Sequence, residues 1–253
     1  ICSMKLPFVL ARRFVAAETF KETVPKIESI NKDGIKVTLD LLGENVEEKT
    51  TADETVEIYK NLLTNIKDAG LKSTISIKLT MLGLDIDPEY CKENVFQLLD
   101  LARELNSFVR IDMEGSEYTQ MTLDIFREAF ETYRNHVGIV VQAYLHGTKN
   151  DVEELADMGA DVRLCKGAYK EPELIALQDM NQIREAFKRY TKILLEKTEF
   201  PRIATHDDEL VNFVREYAAE RELSKDSFEF QMLYGLREET MKELTQLGYN
   251  TRI

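Results

Sequence analysis

Cysteine is scarce and irregularly placed in this 253-residue chain, limited to Cys2, Cys91 and Cys165 without a CxxC pair or Cys/His spacing. That argues against a disulfide framework or a structural zinc site and suits a reducing compartment. Histidine is equally rare, with His136, His146 and His206 alone, and no Ser–His–Asp arrangement or phosphate loop accompanies them. GxGxxG is missing after the first β-rich run, so a nucleotide-binding open sheet lacks its fingerprint. No Pro/Gly/Ser-rich linker interrupts the chain, and residues 1–253 read as one domain. No apolar run approaches the ~20 residues of a membrane-spanning helix. The opening Ile1-Cys2-Ser3-Met4-Lys5-Leu6-Pro7 is too short and polar for a signal peptide, so a soluble, cytoplasmic protein is expected. Basic residues are outnumbered, 33 Lys+Arg against 46 Asp+Glu for a net charge of −13, which argues against a nucleic-acid partner.

What is present is alternation. Short β-rich runs cover Ile35–Leu42, Ser73–Thr80, Phe108–Glu114, Val137–Tyr144, Asp161–Gly167, Arg202–Asp207, Phe228–Leu233 and Asn250–Ile253. Amphipathic segments lie between them. Thr51–Ala69 sets Val56, Tyr59, Leu62, Leu63 and Ile66 at helical spacing, and Asp87-Pro88-Glu89 opens the next helix with Pro88 at its first position. Tyr118–Arg134, Asp151–Met158, Ile183–Leu195, Asp208–Ala219 and Glu238–Leu247 follow the same pattern. Strict alternation predicts a parallel sheet, and eight strands with seven intervening helices predict an α/β fold, a (β/α)₈ TIM-type barrel lacking its final helix. Residues 1–33 read as a leading helical segment, with a helix over Pro7–Glu18 expected at the N-terminal mouth of the barrel.

Polar residues gather at the C-terminal ends of the predicted strands: Asp40, Lys78, Asp112 and Glu114, Gln142, Arg163 and Lys166, Thr205 and His206, Glu229 and Gln231. Such residues are costly in apolar strands unless they face a functional cavity, and barrel active sites lie at that end. Taken singly they are ambiguous. Lys78 suits an anionic substrate group, a Schiff base, or a plain sheet rim. Asp112 and Glu114 alternate and so point one way, as acid and base, as metal ligands, or as partners of Arg110 or Arg163. No third ligand stands at a metal-motif spacing, and no metal is expected. Arg163, Lys166 and the Gly167-Ala168 step suit an anionic cofactor. His206 reads as a general base or a hydrogen-bonded structural residue.

The ordered set is more specific. Leu39-Asp40-Leu41-Leu42-Gly43-Glu44, Ser76-Ile77-Lys78-Leu79, Arg110-Ile111-Asp112-Met113-Glu114, Val141-Gln142-Ala143-Tyr144-Leu145, Arg163-Leu164-Cys165-Lys166-Gly167-Ala168-Tyr169, Ala204-Thr205-His206-Asp207 and Phe228-Glu229-Phe230-Gln231-Met232-Leu233-Tyr234-Gly235 occur in that order. From about Leu10 to Ile253 the chain resembles the flavin-dependent proline dehydrogenase family, in its short monofunctional bacterial form. The resemblance implies a barrel that binds FAD at its C-terminal face and oxidises L-proline to Δ1-pyrroline-5-carboxylate. Electrons would pass to a membrane quinone, with peripheral contact on the inner face of the cell membrane. It also implies residue roles: Asp112 and Arg163 beside substrate and flavin, and Lys78 at the substrate carboxylate. Tyr169 and Leu233 would line the proline pocket, with Met113, Gln142, Lys166, Gly167, Ala168, Thr205 and His206 against FAD.

In the family the last strand leads into a helix bearing an adjacent Arg pair that clamps the substrate carboxylate. The sequence stops at Thr251-Arg252-Ile253, and the expectation is that the intact protein continues into that helix. Two other readings keep the barrel: a Schiff-base aldolase or lyase with Lys78 or Lys166 as nucleophile, and a non-catalytic ligand-binding barrel.

Overall fold

A computed structural model describes residues 20–253, so the helix expected over Pro7–Glu18 lies outside the described residues. Eight strands follow one another around a single parallel sheet: β1 Val37–Leu39, β2 Ser73–Ile77, β3 Val109–Ile111, β4 Val137–Gln142, β5 Asp161–Cys165, β6 Arg202–Ala204, β7 Glu229–Gln231 and β8 Asn250–Arg252. Each pairs with its sequence neighbour. The sheet closes through Lys36 N–H to the Thr251 carbonyl at 3.0 Å and Ile253 N–H to the Lys36 carbonyl at 2.9 Å. The expected (β/α)₈ barrel is the fold observed.

Helix α1 (Phe20–Lys32) precedes β1. Helices α2 (Lys49–Asp68), α3 (Pro88–Glu104), α4 (Thr119–Tyr133), α5 (Thr148–Asp157), α6 (Met180–Lys197), α7 (Asp208–Glu220) and α8 (Glu238–Gln246) fill the seven crossovers. Asp87 caps α3 by accepting from the Glu89 N–H at 3.0 Å, Asp179 caps α6 through Gln182, and Asp207 caps α7 through Glu209. Each cap satisfies an N–H that the first turn leaves without a partner. The strands are shorter than the β-rich runs predict. Their last residues leave the ladder to form the C-terminal mouth, as Lys78, Asp112 and Thr205 do.

Alternation within each strand sorts the two layers of the interior. Ile75, Ile77, Val109, Ile111, Val137, Ile139, Val141, Val162, Leu164, Ile203 and Phe230 are buried in one continuous apolar core with the helices. Inside the barrel the usual branched aliphatics give way to charge. Arg110 pairs with Asp161, which also binds Arg202; Arg202 reaches Glu229 at 2.8 Å, and Glu229 accepts from Arg252 at 2.8 Å. Glu229, read from the sequence among the strand-end polar residues, therefore belongs to this internal network, as does Arg110, which pairs with Asp161 rather than with Asp112 or Glu114. The ring has room because β4 contributes Gly138. A Cβ there would lie 2.3 Å from an Arg110 guanidinium nitrogen and 2.6 Å from the Asp161 carbonyl oxygen. Gly138→Ala is expected to cost about 1–3 kcal/mol, read as a lower denaturation midpoint, since the Asp161 backbone cannot swing away as a side-chain tip can.

Candidate active site

Above the charged ring, at the strand exits, a cavity of about 1620 Å³ opens at the C-terminal mouth. It extends along the β8–β1 seam to Ile27 and Ile30 of α1 and Ile58 and Leu62 of α2. Lys78, Asp112, Met113, Arg163, Lys166, Gly167, Ala168, Tyr169, Thr205, His206 and Leu233 all line it, so most of the residues singled out in the sequence share one wall.

At its centre the Arg163 guanidinium donates to Asp112 at 3.0 Å and to the Ser76 hydroxyl at 3.3 Å. Inward positions on β2, β3 and β5 thus meet. Asp112 and Glu114 do not act together, because β3 ends at Ile111 and the alternation stops there. Glu114 is buried instead against the Thr80 hydroxyl and N–H, the latter at 3.1 Å.

Lys78 Nζ lies 3.3 Å from Glu44 Oε1, and the Tyr169 hydroxyl donates to the same oxygen at 2.8 Å. Burial works to lower the Lys78 pKa, but the carboxylates of Asp40 and Glu44 outweigh it and raise it. Such an ammonium is a fixed cation for an anion, unlike the deprotonated amine a Schiff-base nucleophile requires. Lys166 is held by Asp207 at 3.0 Å, and Asp207 also accepts from Arg184 at 2.8 Å. Burial pushes the Cys165 thiol up to about 11, which argues against a thiolate nucleophile on this wall.

Gly167 has φ +114°, and a Cβ there would meet the Tyr144 ring at 2.2 Å. The backbone from Lys166 to Ala168 is thereby turned into the cavity wall against a buried aromatic. On the neighbouring exit, His206 Nε2 accepts from the Leu233 N–H at 2.8 Å. Burial, with Lys166 and Arg237 nearby, lowers the His206 pKa, so the neutral ring carries its proton on Nδ1. This makes His206 a donor, with its one acceptor nitrogen already engaged. Leu233 is 58% exposed beside it. His136 and His146 bond main-chain carbonyls of Ser107 and Glu173, away from this wall.

Gln142 is buried behind the wall, its amide N–H₂ donating to the carbonyls of Met113 at 3.2 Å and Glu114 at 2.8 Å. Its Oε1, the Tyr144 hydroxyl and Arg163 Nε are buried without a hydrogen-bond partner among the described residues. Unpaired buried polar atoms are costly. The wide apolar cavity with its cationic rim suits a large polar-edged planar group such as a flavin, while Gln142 Oε1 and the Tyr144 hydroxyl lie behind its wall.

Glu44, Asp207 and Arg184 complete the site but carry no separate prediction from the sequence. Asp207 also caps α7 through the Glu209 N–H. Glu44 lies on a loop whose path over Lys78 and Tyr169 depends on tertiary contacts, including Asn45 N–H to the Thr80 hydroxyl at 3.0 Å.

The family model described as proline dehydrogenase matches residues 23–253. Proline dehydrogenase 2 of Bacillus subtilis is 38% identical over 245 residues, covering 97% of this chain and 80% of that protein. Proline dehydrogenase of Deinococcus radiodurans is 32% identical over 248 residues, covering 96% and 80%. Among solved structures, proline utilization A from Bdellovibrio bacteriovorus inactivated by N-propargylglycine superposes with a TM-score of 0.88 at 26% identity, covering 96% of this chain and 30% of that one.

Proposed function

The chain belongs to the proline dehydrogenase family, and from that premise we propose that it oxidises L-proline to Δ1-pyrroline-5-carboxylate by hydride transfer to FAD, its electrons passing on to a membrane quinone. The observation that carries the reading is the Asp112–Arg163 pair at the centre of the cavity, with Lys78 and Lys166 lining the same cavity.

FAD would be held by Met113, Gln142, the Lys166-Gly167-Ala168 backbone, Thr205 and His206. When bound, it supplies the two-electron acceptor. The protein's own residues do the rest. Lys78 offers its ammonium to the substrate carboxylate, and Tyr169 and Leu233 enclose a small ring. Arg163 sets a fixed cation where negative charge accumulates as the hydride arrives. Asp112 holds Arg163 in place. His206, with its proton on Nδ1, offers a donor at the strand exit after β6.

Among the described residues no helix is long and apolar enough to cross a membrane. The family resemblance implies peripheral contact with a membrane-borne quinone on the cytoplasmic side. The raised Lys78 and the ion-paired Lys166 weigh against the lysine-nucleophile alternative. The purified protein should show flavin absorption bands that bleach anaerobically on adding L-proline. Failure to take up FAD, or bands that proline leaves unchanged, would overturn the proposal.

A further inference from the structure

Leu39-Asp40-Leu41 contains a strand-exit carboxylate that the reaction as described leaves without a task. Three aspartates line the cavity: Asp40, Asp112 and Asp207. Asp112 holds Arg163, and Asp207 holds both Lys166 and Arg184. Asp40 forms no ion pair with the described residues. Its side-chain hydrogen bond comes from the hydroxyl of Tyr59, a neutral, fully buried donor on α2, at 3.4 Å. We propose that Asp40 is the base that removes the amine proton of the substrate, an assignment resting on the proline-oxidising function proposed above.

The chemistry requires such a group. Proline at neutral pH is a secondary ammonium, and its nitrogen has no lone pair with which to expel hydride from C5. One N–H bond must break first, its electron pair staying on nitrogen while the proton forms an O–H bond on a carboxylate oxygen. With a bound flavin supplying the two-electron acceptor, the C5–H pair could then leave as hydride while the nitrogen lone pair closes the C=N bond. The proton on Asp40 returns to water through the cavity.

Position supports the choice. Asp40 and Lys78 occupy inward positions at the exits of the adjacent strands β1 and β2, whose ladder pairs Leu39 with Ile75. In proline the amine and carboxylate share one carbon, so a carboxylate held by Lys78 keeps the ammonium close to Lys78, where Asp40 lies. The other candidates are committed elsewhere: Lys78 is kept protonated, Tyr169 donates to Glu44, and His206 Nε2 accepts from Leu233.

Asp40 is exposed at the cavity, with the Tyr59 hydroxyl against it. Burial, with the negative charge of Asp112 adding to it, pushes its pKa up to about 7, while Lys78, Arg163 and the Tyr59 hydroxyl pull it down. A base of that strength divides between its ionised and protonated forms at neutral pH, so it can both take up and release a proton there.

The test uses the flavin-loaded protein and anaerobic reduction by L-proline across pH. Wild type should show an acidic limb near pH 7 in kcat/KM. Asp40→Asn should lose about 10²-fold or more at neutral pH. Its remaining rate should climb toward wild type by about pH 10, as solvent deprotonates the aliphatic amine. Flavin content and thermal midpoint report whether the variant is folded. If it is not, Tyr59→Phe decides: loss of the hydroxyl donor to the ionised carboxylate should move the acidic limb to higher pH, and an unmoved limb overturns the assignment. Wild type reduced by proline beside an Asp40→Asn protein with the same pH profile overturns the Asp40 assignment alone. Flavin-loaded wild type that proline does not reduce overturns the parent reading and Asp40 with it.

Discussion

Glu229→Ala is expected to destabilise the barrel by about 3–5 kcal/mol, more than a typical core truncation. Glu229 is fully buried and accepts from Arg202, Arg252 and Gln231 at 2.8, 2.8 and 2.7 Å, with Lys36 3.5 Å away. Its removal leaves two buried guanidiniums facing each other with Asp161 as the remaining carboxylate of the ring. The charge itself is the issue, because Glu229→Gln preserves volume and some hydrogen bonds and should still lose much of the stability. Replacing Arg202, Glu229 and Arg252 together by apolar residues of similar size should recover most of it. Chemical denaturation at neutral pH measures all three, and a Glu229→Ala protein as stable as wild type would contradict the assignment.

The same ring dictates acid sensitivity. Burial alone would raise the pKa values of Asp161 and Glu229, but the surrounding arginines outweigh it and hold both below the ordinary carboxylate range. The stability they contribute is complete above the carboxylate pKa of the unfolded chain, about 4, and drains away as pH falls from there through the lower folded values. Wild type should therefore lose stability steeply below about pH 4, and Glu229→Gln should lose less over the same interval because one of the linked protons is gone.

Alternation of β-rich and helical segments was enough to read the barrel, since β2 to β7 turn alternate apolar residues toward the helices. Strand-end polarity located the mouth for the same physical reason: Lys78, Asp112 and Arg163 stand where an apolar residue would pack better unless a cavity lay beyond. That rule does not separate the mouth from the interior. Arg110 and Glu229 have the same residue types at similar strand positions, and only register places them a layer lower, where Gly138 leaves space for a guanidinium. Asp112 and Glu114 show a second limit. Periodicity presumes that the strand continues, and β3 stops between Arg110 and Asp112. Glu44 and Arg184 were legible only as charged residues, because a loop and a neighbouring helix bring them to Lys78 and Asp207 from outside the strands. Asp40 was visible as a strand-exit carboxylate, but that no cation among the described residues pairs with it directly is a property of three-dimensional neighbours.

Arg163→Met is expected to slow proline-dependent flavin reduction by about 10²–10³-fold while leaving the protein folded. Arg163 lies above the structural ring, and its partners Asp112 and Ser76 border the cavity, where water can take over part of their solvation. The loss should thus fall on the reaction more than on stability. A cation fixed beside the acceptor is worth most when negative charge develops, so the rate constant of reduction should fall more than proline binding weakens. Two further readouts separate this role from a structural one. Without the guanidinium the flavin reduction potential should become more negative, because the reduced form loses its counter-charge. The acidic limb assigned to Asp40 should also move to higher pH, because Arg163 lowers the Asp40 pKa while Asp112 raises it, and the substitution leaves the two carboxylates to repel each other. A merely structural Arg163 would appear instead as a lower thermal midpoint with the flavin potential, the pH profile and the rate per bound flavin unmoved.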